Sequence, residues 1–138
     1  MCIRDSHWAY IADDTVGFNR LPKRLARLAD SYLPVAGCQP VRMRKEQGVW
    51  NVPSSRFLRP TKGGLAGKLR LWRVVDAMRR SLSRGDGFHL WWHPHNFGAD
   101  IAANVESLES VLFEFSRLRE EFGAASYTMS EYAGLPCP

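Results

Sequence analysis

The run Phe88-His89-Leu90-Trp91-Trp92-His93-Pro94-His95-Asn96-Phe97-Gly98 constrains this chain more than any other. Its first half reads as a buried strand, because aromatic and bulky apolar residues fit a pleated, packed surface. The second half cannot continue that strand. Pro94 has no amide proton, and Asn96 and Gly98 favour turns. The histidines therefore stand where a core strand ends and a loop begins. Barrels and open α/β sheets place their chemistry at such positions.

Around this break the pattern alternates. Leu21-Pro22 opens a helix to about Tyr32, with Pro22 near the first helical position, where a missing amide costs little. Leu21, Leu25, Leu28 and Ala29 share one face of it. Pro34 to Gln47 reads as irregular, Val49-Trp50-Asn51-Val52 as a short strand stopped at Pro53, and Arg59 to Gly64 as a loop. Residues 66–83 form a basic amphipathic helix with Leu69, Trp72, Val75, Ala77 and Met78 as core candidates. Gly85-Asp86-Gly87 turns into the Phe88–Trp92 strand. The longest helix spans 99–121, with Ile101, Val105, Leu108, Leu112, Phe115 and Leu118 at spacings of three and four. Gly123 ends it, Ser126-Tyr127-Thr128-Met129 reads as a strand, and Ser130 to Ala133 as a terminal turn. Helices alternating with strands argue an α/β fold with parallel neighbours.

The 138 residues suit one domain. No apolar run approaches the roughly 20 residues needed to span a bilayer. The net charge of +5 is unevenly spread. Residues 1–84 hold 17 of 19 Lys and Arg but 6 of 14 acidic residues, a net +11, and residues 85–138 a net −6. A basic half can meet nucleic acid or another anionic surface, but Arg70, Arg73, Arg79 and Arg80 also fit the solvated face of a helix. Cys2, Cys38 and Cys137 follow no C-x-x-C spacing, which argues against a metal or redox motif. Residues 1–6, Met-Cys-Ile-Arg-Asp-Ser, look like translated adapter sequence at the end of a metagenomic gene fragment. They are expected to be non-native, leaving residues 7–138 as the domain and no information about targeting.

His93 is the leading candidate for chemistry. A histidine at a strand end beside Trp91 and Trp92 can sit in a partly desolvated pocket, where its pKa is tunable for acid or base work. The blander role is a loop cap. His89 and His93, four residues apart on a strand, are separated by about 13 Å, too far to share a metal with bonds of about 2.1 Å. His93 and His95 are closer, but no histidine downstream completes a ligand set. Asp13-Asp14 suits a turn better than a pair of catalytic carboxylates.

Taken together, these segments resemble the C-terminal part of bacterial polysaccharide deacetylases of the NodB-homology type, in the form associated with exopolysaccharide loci. Residues 88–98 look like the family's last active-site motif, a hydrophobic strand ending in a histidine. Val49 to Arg56 with Phe57-Leu58-Arg59-Pro60 resembles the penultimate-strand region. The long helix closing on Ser126 to Glu131 resembles the terminal helix and strand. The resemblance covers about residues 15–134. It implies the C-terminal portion of a distorted (β/α) barrel, from an enzyme that removes N- or O-acetyl groups from acetylated polysaccharides or oligosaccharides with a divalent metal such as zinc. It places the general acid at His93 and an apolar residue of the acetate pocket at Trp91. Trp92, His95 and Asn96 are the further expected substrate-binding residues.

The paired aspartates and H-x3-H metal motif of the family belong to its N-terminal half. No H-[ST]-x-x-H follows Asp13-Asp14, so no metal ligand carries over. A whole β/α barrel needs roughly 200 residues or more, and this length fits a truncated one. The fragment by itself is expected to be inactive. Two alternatives remain: a basic α/β module using Arg20, Lys23, Arg24 and Arg27 on phosphates, and a non-catalytic carbohydrate-binding fragment using Trp91 and Trp92.

Overall fold

The computed structural model describes residues 44–46 and 48–134, with single positions at 25, 29 and 41. The expected helix to Tyr32, Asp13-Asp14 and the three cysteines otherwise lie outside the described residues. What is described is a mixed α/β arrangement. A hairpin of β1 (Arg44–Glu46) and β2 (Val49–Asn51) comes first. Next come β3 (Arg56–Phe57), helix α1 (Gly64–Leu82), β4 (Leu90–Trp91), a 3-10 turn (Pro94–Ala99), α2 (Ile101–Phe122) and α3 (Met129–Gly134).

The parallel relationship expected from the alternation is present at the centre. β3 pairs in parallel with β4, Arg56 opposite Leu90 and Phe57 opposite Trp91, with α1 as the crossover between them. The ladder extends past the strand ends: Ser55 and Arg56 amides both donate to the His89 carbonyl, and the Leu58 amide to Trp91. The expected strand 88–92 thus shrinks to two regular residues, because its partner enters at Pro53 and leaves at Pro60. The stretch expected to be irregular, Pro34 to Gln47, holds β1 among its described residues. The β1–β2 turn carries Gly48 at φ 82°, a left-handed conformation that glycine adopts without strain.

Period-2 alternation sorts the histidine strand. Leu58, Val74, Met78, Val111 and Leu118 form the buried cluster, and Phe88, Leu90, Trp92 and Phe97 pack on it. Trp91 and His93 fall on the other side. β4 and α2 therefore share one core. Each fully buried aliphatic side chain there contributes about 1.5–3 kcal/mol of transfer free energy.

The helices are close to their expected limits, and their inner faces match the expected ones in part: Ala77, Met78, Leu108, Phe115 and Leu118 face the core as expected. On α1, Leu69 and Trp72 are exposed, while Arg73, Val74, Ala77, Met78 and Ser81 are buried. Arg73, assigned to the solvated face, is 2% exposed and lies 3.6 Å from the Asp76 carboxylate. On α2, Ile101, Val105 and Leu112 are exposed. The inward stripe is Asn104, Leu108, Val111, Phe115, Leu118 and Phe122. Each helix carries two apolar stripes, and pattern alone does not say which one meets the strands.

Asn104 decides it for α2. At 1% exposure, it accepts from the Thr61 amide at 2.8 Å and donates to the Thr61 and Asp100 carbonyls. A buried amide must be paired, and this one fastens the loop before α1 to the start of α2. Asp100 caps that start by accepting from the Ala103 amide. Gly123 ends the helix at φ 66°, the left-handed stop expected of it.

The expected strand 126–129 is absent, and Met129 opens α3 instead. Thr128 and Glu131 form a reciprocal capping box. The Thr128 amide and hydroxyl both donate to the Glu131 carboxylate, at 2.7 and 2.8 Å. The Glu131 amide returns a bond to the Thr128 hydroxyl.

Candidate functional site at the ends of the parallel strands

The C-terminal ends of β3 and β4 bring four rings together. Phe57 and Trp91, opposed in the ladder, have centroids 4.6 Å apart. His93 meets Trp91 edge-on at 4.8 Å and stands 6.0 Å from Phe57. His95 stacks on His93 at 5.0 Å with 23° between planes. His93 is the last extended residue, at φ −99° and ψ 124°, and Pro94 opens the 3-10 turn. The Asn96 amide donates back to the His93 carbonyl at 3.0 Å, which holds the turn closed directly beneath the histidine pair.

Of the expected site residues, Trp91, His93 and His95 come together. Trp92 points the other way: it stacks on Phe97 at 6.2 Å and packs on the buried cluster. Asn96 is half-buried, with its amide in the turn. Phe57 joins the rings although the sequence reading gave it no role. Its signal was the β3–β4 register, which appears only once the strands are paired. The partly desolvated pocket anticipated for His93 is not formed by the described residues, since His93 and His95 are both exposed.

His89 has a different life. Its amide donates to the Ser55 hydroxyl at 3.1 Å, its carbonyl takes two amides from β3, and its Nδ1 lies 3.2 Å from the Pro53 carbonyl. That contact is a hydrogen bond when Nδ1 carries the proton. His89 is a structural residue of the ladder.

Among the described residues, no three His, Cys, Asp or Glu side chains are grouped to hold a metal ion. His93 and His95 alone do not fit one. Stacked imidazoles direct their in-plane lone pairs along nearly parallel lines, which do not converge on an ion about 2.1 Å from both. What the arrangement offers chemically is an accessible imidazole on an aromatic wall, able to exchange protons with a ligand laid against Trp91 and Phe57.

No helix among the described residues is long and apolar enough to cross a membrane. Three of the described arginines form ion pairs within the protein: Arg79 with Glu121 at 2.6 Å, Arg80 with Asp76 at 2.9 Å and Arg117 with Glu114 at 3.1 Å. In comparisons with family models, curated proteins and solved structures, nothing matches this chain.

Proposed function

We propose that this chain is the C-terminal part of a carbohydrate deacetylase with a distorted β/α barrel, acting on acetylated polysaccharide or oligosaccharide. One observation carries the reading: His93 stands at the C-terminal end of a parallel strand, exposed, against the wall of Trp91 and Phe57. Active sites of α/β enzymes collect at such strand ends. In this reading His93 donates its proton to the sugar nitrogen or oxygen as the bond to the acetyl carbon breaks. Trp91 and Phe57 supply the apolar surface beside it. A divalent metal, when bound in such enzymes, stabilises charge and activates water. The described residues do not assemble its ligands. The residues of the nucleic-acid alternative, Arg20, Lys23, Arg24 and Arg27, lie outside the described residues.

The isolated chain should release little or no acetate from an acetylated chitooligosaccharide, even with zinc or cobalt added. Metal-stimulated release would overturn the fragment reading. In a longer protein that contains this segment, His93→Ala should lower kcat by about 10²–10⁴, the usual contribution of a positioned proton donor. Metal content should stay near wild type, and His95→Ala should cost less. A more damaging His95→Ala, or loss of metal with His93→Ala, would favour a ligand role for the pair instead.

A further inference from the structure

Away from the strand ends, α1 and α2 leave a groove of about 560 Å³ on a face that the core does not use. Half-buried Val75 lines it together with Trp72 and Phe113, which are 50% and 66% exposed. Its two walls carry opposite charge: Lys68 on α1, Glu106 and Glu109 on α2. All three are exposed and make no ion pair among the described residues. The helices run side by side in one direction. Thr61, just before α1, bonds to Asn104 at the start of α2, and Arg79 near the end of α1 pairs with Glu121 near the end of α2. In the register set by those two ties, Lys68 stands level with Glu109, and Trp72 level with Phe113.

We propose that this face is the interface of a symmetric dimer, in which a second copy of the chain lays its α1 on this α2. A two-fold axis running along the groove, parallel to both helices, keeps every residue at its own height while it exchanges the helices. Lys68 of each copy then meets Glu106 and Glu109 of the other, and Trp72 of each meets Phe113 of the other. Every contact is made twice, as an isologous interface requires. A two-fold running across the helices would lay α2 on α2, where the glutamates meet no Lys68. The charges therefore select one orientation, which is what electrostatic complementarity does at an interface. The aromatic pair supplies its anchor. A buried aromatic side chain covers about 150–250 Å², so the two rings hold roughly 200 Å² of uncovered surface per copy. With the flanking helix surface the pair would bury on the order of 1,000 Å² in total, near the low end for specific association. The dimer is accordingly weak and reversible. The histidine end of β4 takes no part in it, so the inference does not rest on the deacetylase reading.

The test is sedimentation equilibrium on the full chain over about 5–500 μM, the range in which an interface of this size dissociates. Wild type should pass from monomer to dimer, and Phe113→Ser should raise the dissociation constant about tenfold or more. Lys68→Glu makes both walls of the groove acidic, and the double reversal Glu106→Lys, Glu109→Lys makes both basic. Each of these should stay monomeric alone, and the two mixed one to one should form a heterodimer. All the substitutions alter exposed side chains, and hydrogen-exchange protection of the amides of Val74 to Met78 and Val111 to Leu118 reports that the fold survives. A wild type that is monomeric throughout overturns the proposal. So does a dimer that persists in Phe113→Ser, or a pair of charge variants that associate no better together than apart.

Discussion

The two ends of the β4 segment use the same residue type in opposite ways. At the entry end, His89 is held on three sides: its amide on Ser55, its carbonyl under two β3 amides and its ring against the Pro53 carbonyl. At the exit end, His93 and His95 are exposed, and their imidazoles stand against rings. A histidine with its backbone and ring all committed is part of the scaffold. An exposed histidine is free to exchange protons with a ligand. The difference lies in what stands opposite. Residues 53–58 run alongside the entry end, and Pro94 turns the chain away from any partner at the exit.

That contrast can be broken by experiment. The largest effect on stability is expected at His89: His89→Ala strips the ring from the buried Pro53 carbonyl and should cost about 1–2 kcal/mol. It would be read as a lower urea midpoint with an unchanged slope. A smaller loss, about 1 kcal/mol, is expected from Gly87→Ala just upstream. A Cβ there would lie 2.8 Å from the Tyr132 hydroxyl and 3.3 Å from the Val41 side chain. His93→Ala should move stability by less than about 0.5 kcal/mol, as surface substitutions do. A loss equal to that of His89→Ala would mean that the ring stack is structural, and the contrast would collapse.

The smallest effect is a pH dependence confined to the entry end. Thr128 holds the Glu131 carboxyl below the ordinary value of 4.5, first through its amide and then through its hydroxyl. A carboxyl depressed in the folded state adds stability that is complete above its unfolded value and disappears as pH falls through the folded one. Below pH 4.5, α3 should therefore fray from its capping box. Because Tyr132 sits against Gly87, its resonances and those near Gly87 should shift while those of His95 and Phe97 backbone amides stay. Glu131→Gln should remove the acid transition, and its persistence in that variant would assign it to another group.

Local chemistry in the sequence determined where elements begin and end. Pro94 after a run of aromatics marks the strand-to-turn break at His93. Gly123 is the left-handed stop of α2, and the two long helices fall within about two residues of the limits that periodicity sets. The T-x-x-E pattern at Thr128 and Glu131 was equally legible as a helix start, but the β-prone Tyr127-Thr128 beside it suggested a strand. Only the tertiary structure decided which face of each helix is inside. Both α1 and α2 have two apolar stripes. For α2 the choice rests on Asn104, whose buried amide has to find the Thr61 backbone 43 residues away. It also decided that Phe57 would stand beside Trp91, and that His89 would be locked while His93 stayed open. Those pairings come from a parallel ladder closed over α1, and a non-local contact of that kind leaves no periodic trace in the residues that make it.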